Sequence, residues 1–141
     1  MDYQQFQSKI LVRLDKGDEV VNSVKEIAQT LGIKLAAVSG IGALNHAVVG
    51  LFEQDSKEYH TREFAGSMEI TGLMGNISEK DGEVYLHLHI TLSDSELRAF
   101  GGHLSQGIVG ATAEIIIDVI DGKVNRKMNE EVGLNIFQFA N

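Results

Sequence analysis

Apolar and polar residues alternate along most of this chain, and the alternation predicts a molecule built mainly of strands. It is clearest from Val84 to Leu92, where every second residue is aliphatic. Because successive side chains of a strand point to opposite faces, this segment predicts a strand with one buried face. Similar apolar segments predict further strands at residues 9–14, 35–39, 47–52, 59–64, 68–78, 112–120, 124–128 and 134–139.

One segment has a helical period instead. Its apolar residues recur at intervals of three and four positions, and they are Val20, Val21, Val24, Ile27, Ala28 and Leu31. Asp18 precedes them and is predicted to be the N-cap, whose side-chain oxygen accepts hydrogen bonds from the first turn. Gly32 is predicted to end the helix in a left-handed conformation. The sequence therefore predicts one amphipathic helix.

Glycine is expected to make the sharp turns, because the sequence has fifteen glycines and no proline. Asp81-Gly82 lies between two predicted strands and favours a two-residue hairpin turn. Residues 40–44 (Gly-Ile-Gly-Ala-Leu) are predicted to be a tight connection. They lack the third glycine and the following helix of a dinucleotide-binding loop, so we expect no nucleotide site there.

The short connections between most of the strands favour antiparallel pairing. With one helix to cover the sheet, we expect an α+β fold with a mainly antiparallel sheet of about seven strands. A length of 141 residues is typical of one domain, and an apolar content of 43% is sufficient for a core. We therefore expect a single domain over residues 1–141.

The composition excludes several classes of protein. There is no cysteine, which excludes disulfides, cysteine-ligated zinc and a catalytic thiol. The polar N-terminal residues predict no signal peptide, and no apolar run reaches the length of a membrane span, so we expect a soluble cytoplasmic protein. Twelve basic and twenty acidic residues give a net charge of −8. This charge disfavours binding to nucleic-acid phosphates by the chain alone.

Three histidines form the most informative chemical pattern. His87 and His89 are two positions apart in a predicted strand, so their side chains share one face. His103 follows Gly101-Gly102, where we expect the backbone to turn back toward that strand. Three imidazoles without a cysteine are a ligand set that suits zinc, or another divalent transition metal, with one open position. The alternative is that these are half-buried histidines held by hydrogen bonds, without any metal.

Two carboxylates are candidates for proton transfer. Glu69 and Glu114 each lie in an apolar predicted strand. Next to a metal, such a group could act as an acid or a base. On an open face it would be solvated or ion-paired, and this is the interpretation we favour. Arg126 could form an ion-pair cluster with Glu130 and Glu131, and surface pairs of this kind contribute little to stability.

The order of several motifs resembles the PPC domain, the plants and prokaryotes conserved family. These motifs are residues 39–44 (Ser-Gly-Ile-Gly-Ala-Leu), 68–77 (Met-Glu-Ile-Thr-Gly-Leu-Met-Gly-Asn-Ile), 86–90 (Leu-His-Leu-His-Ile), 101–104 (Gly-Gly-His-Leu), 113–115 (Ala-Glu-Ile), 125–126 (Asn-Arg) and 133–134 (Gly-Leu). The resemblance spans about residues 10–137. One departure lies at residues 94–98, where the family commonly has an Asp-Gly pair and this chain has Leu97 near the glycine position.

The resemblance implies a compact α+β unit on an antiparallel sheet, usually assembled as a trimer. It also implies an association with DNA, because plant members carry AT-hook arms that enter the minor groove, although this chain has no AT-hook. The family fold is similar to that of acetolactate decarboxylase, an enzyme whose zinc is held by three histidines. The resemblance therefore implies His87, His89 and His103 as metal ligands.

Three functional hypotheses follow from the sequence. The first is a stand-alone trimeric domain that binds a metal, such as zinc, through three histidines and acts as a regulatory or interaction module. The second is a zinc-dependent lyase or hydrolase that acts on a small organic acid. The third is a DNA-binding protein, which the family association implies and the acidic charge disfavours.

Overall fold

The computed structural model describes residues 1–139, and within them the chain forms one helix and eight strands. The elements in order are β1 (Asp2–Phe6), β2 (Lys9–Asp15), α1 (Val20–Thr30), β3 (Ala36–Glu53), β4 (Glu58–Lys80), β5 (Glu83–Ser93), β6 (Ala99–Val119), β7 (Asn125–Asn129) and β8 (Leu134–Gln138). All strand pairs are antiparallel apart from a single parallel contact between β4 and β7. The predicted α+β class and mainly antiparallel sheet are confirmed.

The sheet closes on itself through β5. Strand β3 pairs with both β4 and β6, and β5 also pairs with both β4 and β6. The strands β3, β4, β5 and β6 therefore form a closed cycle, which we call the strand ring. Strands β2 and β1 extend the sheet from β6, and the β7–β8 hairpin is attached at β4. Within residues 1–139, no helix is long and apolar enough to cross a membrane.

Helix α1 packs on the inner face of the sheet, with Val20 and Val24 fully buried. The N-cap is Glu19 and not the predicted Asp18. The Glu19 carboxylate accepts hydrogen bonds from the backbone N–H groups of Val21 and Asn22, and it also accepts one from β6, whereas the Asp18 carboxylate is hydrogen-bonded to the preceding turn. The side chain of Glu19 is longer than that of Asp18. It can therefore cap the helix and also hydrogen-bond to the sheet. Gly32 follows the helix with a φ of +65°, as predicted.

The prediction of a tight connection at residues 40–44 was wrong. Strand β3 runs straight through this segment, with shifts of register against both neighbouring strands. A Cβ on Gly42 would lie 2.5 Å from the backbone oxygen of Thr112, so the glycine permits a close approach of β6 and not a turn. For the same reason the predicted strands 35–39 and 47–52 are one strand. Strand β1 was missed because all of its residues are exposed and have no alternation in burial.

The predicted hairpin turn at Asp81-Gly82 is confirmed. These two residues have φ values of +53° and +84° and join β4 to β5. The turn before β6 departs from the family pattern in sequence, and Leu97 adopts the left-handed conformation there with a φ of +61°. The Asp94 carboxylate stabilises this turn by accepting hydrogen bonds from the backbone N–H groups of Glu96 and Arg98.

Glycines on both neighbouring strands allow β5 to fit between them. A Cβ on Gly75 of β4 would lie 2.0 Å from the backbone oxygen of His87. On the other side, a Cβ on Gly101 of β6 would lie 2.1 Å from the backbone oxygen of Ile90. Because the contacted atoms belong to the backbone, any larger residue would force the strands apart.

We therefore expect Gly75→Ala to lower the free energy of unfolding by about 3 kcal/mol, because the added methyl group overlaps β5. Gly72→Ala is the matched control, since a Cβ there has no atom within 4 Å, and we expect it to cost less than about 1 kcal/mol. Urea titrations of the metal-free proteins at one protein concentration measure both changes. Equal stability of the two variants would contradict the close packing of β5.

Candidate metal centre

Strand β5 presents two histidines on the outer face of the sheet. Leu88 and Ile90 point inward and are 1% and 2% exposed, whereas His87 is half-buried and His89 is exposed. This alternation confirms the predicted register of the strand. It places two imidazoles side by side on a surface that solvent can reach.

The third histidine arrives on the neighbouring strand. His103 lies within β6 and is the direct cross-strand partner of His89. The prediction of a Gly-Gly turn at this point was therefore wrong, although the predicted proximity is correct. A Cβ on Gly102 would lie 2.5 Å from the backbone oxygen of Gly50, so these glycines allow close strand packing on both sides of β6.

The three imidazoles form one cluster within a single chain. The ring centroids of His87, His89 and His103 are 5.0, 5.5 and 5.7 Å apart. One ring nitrogen from each lies within 4.8 Å of the others, and the group could hold a metal ion. We call these three side chains the histidine triad.

The hydrogen bonding of the triad fits a metal ligand set. The Nε2 atoms of His87 and His89 face each other at 3.2 Å, so one of the two must donate and the other accept when both rings are neutral. The Nδ1 atom of His103 is buried and has no hydrogen-bond partner, which costs free energy. Three nitrogen donors without sulfur suit zinc or a similar divalent transition metal.

Burial favours the neutral form of two of the three imidazoles, those of His87 and His103. It lowers the pKa of His87 to about 4, and the nearby His89, Arg126 and His103 lower it further by charge repulsion. Burial also lowers the pKa of His103, with a smaller contribution from His89. Metal ions bind neutral imidazole, so these environments favour metal binding over protonation.

Arg126 lies behind His87 and was misjudged from the sequence. It is only 8% exposed, and in place of the expected pairs with Glu130 and Glu131 it donates to Ser78 Oγ at 2.8 Å and to Asn76 Oδ1 at 2.8 Å. A third hydrogen bond goes to the backbone oxygen of Asn135 at 2.9 Å. Its guanidinium also packs over two aromatic rings, those of Tyr85 and Phe137, at 4.7 and 4.4 Å from the ring centroids.

No local pattern in the sequence indicates this environment, because the pairing of the β7–β8 hairpin with β4 brings together residues about 50 positions apart. Asn76 is the direct cross-strand partner of His87. The arginine therefore lies next to a residue that flanks the triad, although it belongs to a distant part of the sequence.

An aromatic side chain lies against the third histidine of the triad. The ring of Tyr59 lies 5.5 Å from that of His103 and 5.2 Å from that of Phe52. Burial raises the pKa of the Tyr59 hydroxyl, and the neighbouring Tyr85 raises it further. Sequence reasoning missed Tyr59 because its position next to His103 depends on the pairing between the end of β3 and the start of β4.

The two candidate carboxylates lie elsewhere. Glu69 is exposed on β4 and pairs with Ser93, at the far end of β5 from the triad. Glu114 is exposed on β6 and pairs with Arg13 of β2. Within residues 1–139, no carboxylate joins the three imidazoles. A catalytic role for either residue stays an untested prediction.

A wide apolar concavity lies beside the triad on the same face of the sheet. Its volume is about 910 Å³, and its floor includes the exposed side chains of Leu11, Ile41, Met74 and Ile116. Met74 is the direct cross-strand partner of His89. The concavity, which we call the concave face, therefore begins next to the triad.

Comparison with known proteins identifies a family and close structural relatives. The model of the Plants and Prokaryotes Conserved (PCC) domain family matches residues 1–121. A solved structure from Bacteroides thetaiotaomicron, of a protein to which DNA binding is ascribed, is 33% identical with a TM-score of 0.95, over 98% of this chain and 96% of that one. A metal-containing protein from Archaeoglobus fulgidus is 32% identical with a TM-score of 0.85, over 98% of this chain and 97% of that one.

More distant similarities concern the fold or a part of a larger protein. Acetolactate decarboxylase from Bacillus subtilis subspecies spizizenii is 16% identical with a TM-score of 0.57, over 82% of this chain and 54% of that one, and this likeness shows the expected fold alone. The bifunctional protein GlmU from Synechococcus sp. (strain JA-3-3Ab) is 29% identical over 125 residues, which are 86% of this chain and 19% of that protein. The chain spans less than a fifth of the curated relatives that it matches.

The lowered pKa of His87 predicts a pH dependence of stability in the metal-free protein. Its pKa is about 4 in the folded state and near 6.5 when unfolded, so between these values the unfolded chain binds more protons. The free energy of unfolding should therefore fall as the pH decreases from about 6.5 to about 4. We expect His87→Gln to lose part of this decrease, because glutamine does not titrate.

Urea titrations at about pH 7 and about pH 4.5, in the presence of a chelator, measure this difference. His60→Gln is the control, since His60 is exposed and lies outside the triad, and it should retain the wild-type decrease. An unchanged decrease in His87→Gln would contradict the prediction.

Proposed function

The chain belongs to the Plants and Prokaryotes Conserved domain family, and from this membership and the geometry of the triad we propose that it is a trimeric metal-binding domain. His87, His89 and His103 hold a divalent transition metal ion, for which zinc is the simplest choice. The domain acts as a regulatory or interaction module. The convergence of three imidazole nitrogens within 4.8 Å carries this proposal.

The donor chemistry supports zinc. Zinc accepts neutral imidazole nitrogen, commonly binds four ligands in a tetrahedron, and leaves one position for another ligand when the protein supplies three. His89 is exposed, so that position is accessible from solvent. The relative from Archaeoglobus fulgidus is described as metal-containing, which agrees with this assignment.

The surroundings of the triad favour a binding module over an enzyme. Metal-dependent hydrolysis and lyase reactions generally need a group that transfers a proton near the metal. Among the residues that the structure describes, no carboxylate joins the triad: Glu69 of β4 lies at the far end of β5, and Glu114 lines the concave face. The exposed position beside His89 and the hydroxyl of Tyr59, a group that can transfer protons, favour the zinc-enzyme alternative.

The concave face supports trimer formation. It exposes four large apolar side chains, with Ile41 58% and Met74 64% exposed. Apolar surface grouped in this way is typical of protein–protein contacts. Burial of the concave face between subunits would also place the neighbouring triad at the edge of the assembly interface.

The charge distribution does not favour DNA as a partner of this chain alone. The net charge is −8. Several exposed basic side chains are already paired with acidic ones, among them Lys9 with Asp118 and Arg98 with Asp94. DNA binding is ascribed to the relative from Bacteroides thetaiotaomicron, and we do not extend it to this chain.

Metal binding is tested by elemental analysis of protein purified without an affinity tag or a chelator. We expect about one zinc ion per chain, because three histidines of one chain supply the ligands. The double variant His87→Ala/His89→Ala should lose the metal. The matched variant His46→Ala/His60→Ala, which removes the two histidines outside the triad, should retain it.

The absence of metal from the wild-type protein, even after zinc is supplied, would leave the triad with a structural role only. Equal metal content in the two double variants would also contradict the assignment of the ligands.

Trimer formation is tested by the molar mass in solution, measured by light scattering after size-exclusion chromatography. We expect the wild-type protein to have about three times the mass of the chain, and Ile41→Asp to dissociate it because a charge would be buried in an apolar contact. Leu97→Asp is the control, since Leu97 is 81% exposed in a turn away from the concave face. A wild-type monomer, or an Ile41→Asp trimer, would contradict this arrangement.

A further inference from the structure

The charges around the proposed metal site indicate which kind of ligand would complete it. We infer that this ligand is a small oxyanion, a carboxylate or a phosphate, and that the buried charge of Arg126 selects it. This inference rests on the proposed metal site. It adds Arg126, from the β7–β8 hairpin, as the residue that selects the ligand, and it names the class of ligand.

The first observation is that Arg126 is a buried cation to which residues 1–139 offer no anionic partner. It is 8% exposed, and its three hydrogen-bond acceptors, on Ser78, Asn76 and Asn135, are all neutral. No carboxylate within residues 1–139 forms a salt bridge with it. Burial of a charge without a counter-ion is costly, and aromatic rings compensate only part of this cost.

The second observation is the place of this charge in the fold. The guanidinium donates to Asn76, and Asn76 is the direct cross-strand partner of His87. Arg126 also packs over Tyr85, which lies two positions before His87 and so shares its face.

The third observation concerns the charge of the loaded site. The triad contributes no negative charge, since its three ligands are neutral imidazoles and no carboxylate of the described residues joins them. A divalent metal would therefore add two positive charges beside that of Arg126. Water or a neutral ligand in the open position would leave this repulsion uncompensated. An anion would reduce it, and its attraction to the site would be strengthened by the low dielectric of the surroundings.

The rim of the site supports a small ligand. Tyr59 and Phe52 cover the side of the triad next to His103, and Tyr59 remains 48% exposed. This aromatic rim bounds one side of the triad and leaves the side of His89 open. Carboxylate and phosphate groups share the required charge and size.

A thermodynamic consequence distinguishes this proposal from simple filling of an open metal position. If the anion offsets repulsion between the metal and Arg126, each ligand must raise the affinity of the site for the other by the same factor. Removal of the positive charge of Arg126 should then weaken anion binding and reduce this coupling. If the open position accepted any metal ligand, the charge of Arg126 would not change the affinity for the anion.

The test uses the protein loaded with Co²⁺, whose visible absorption reports its coordination. Acetate and inorganic phosphate are titrated separately to distinguish the two oxyanion classes, and acetamide serves as the neutral counterpart of acetate. We expect at least one oxyanion to change the spectrum saturably and to tighten Co²⁺ binding, and acetamide to do neither. Arg126→Gln should weaken oxyanion binding about tenfold, whereas Arg126→Lys should retain most of it.

A second variant keeps the test valid if Arg126→Gln fails to fold. Asn76→Asp places a carboxylate at the atom that already accepts from Arg126, so the arginine stays and its charge is neutralised. We expect Asn76→Asp to weaken oxyanion binding as Arg126→Gln does. Ser78→Ala is the matched control, because it removes a hydrogen bond to Arg126 and leaves the charge in place.

The outcomes separate this inference from the proposed function. Failure of the wild-type protein to bind Co²⁺ would overturn the metal site and this inference with it. Binding of Co²⁺ with equal responses to acetate and acetamide would overturn the oxyanion inference and leave the metal site intact. Unchanged oxyanion affinity in Asn76→Asp would overturn the role of Arg126.

Discussion

The close packing of β5 between β4 and β6 is the constraint on which the rest of this structure depends. Side chains larger than hydrogen at Gly75 and Gly101 would overlap the backbone of β5 from opposite sides. With glycine at both positions, β5 pairs with both neighbours and closes the strand ring. The same approach makes His103 the direct partner of His89, so the packing that closes the fold also assembles the histidine triad.

The electrostatic character of the site follows from which elements surround it. Strands β5 and β6 contribute three imidazoles, and the β7–β8 hairpin contributes the buried cation Arg126. The chain has a net charge of −8, but among the residues that the structure describes no carboxylate joins the triad. A chain that is acidic as a whole therefore contains a locally electropositive centre. The net charge of a chain bears on its association with large polyanions. It does not indicate the local charge around a site as small as the histidine triad.

Much of the fold could be predicted from the sequence because local patterns determine it. The alternation around His87 and His89 defined the register of β5, and Asp81-Gly82 defined its hairpin. Local patterns do not specify which distant strands pair, and they do not separate a glycine that turns the chain from one that permits close packing. For this reason residues 40–44 and Gly101-Gly102 were assigned to turns although they lie within strands. The burial of Arg126 could not be predicted from local patterns either, because it depends on a contact between residues about 50 positions apart in the sequence.

The position of Arg126 also bears on how a binding module and an enzyme can share one architecture. The fold is similar to that of acetolactate decarboxylase at 16% identity, a level at which only the chain path is comparable. Three histidines provide a place for a metal ion, but the chemistry at that ion depends on the charged and proton-transferring groups around it. Here the surrounding groups that the structure describes include an arginine, an amide and two tyrosines, and a tyrosine hydroxyl can donate a hydrogen bond to a ligand or transfer a proton. What the site does with a ligand therefore depends on these surrounding groups and not on the three histidines alone.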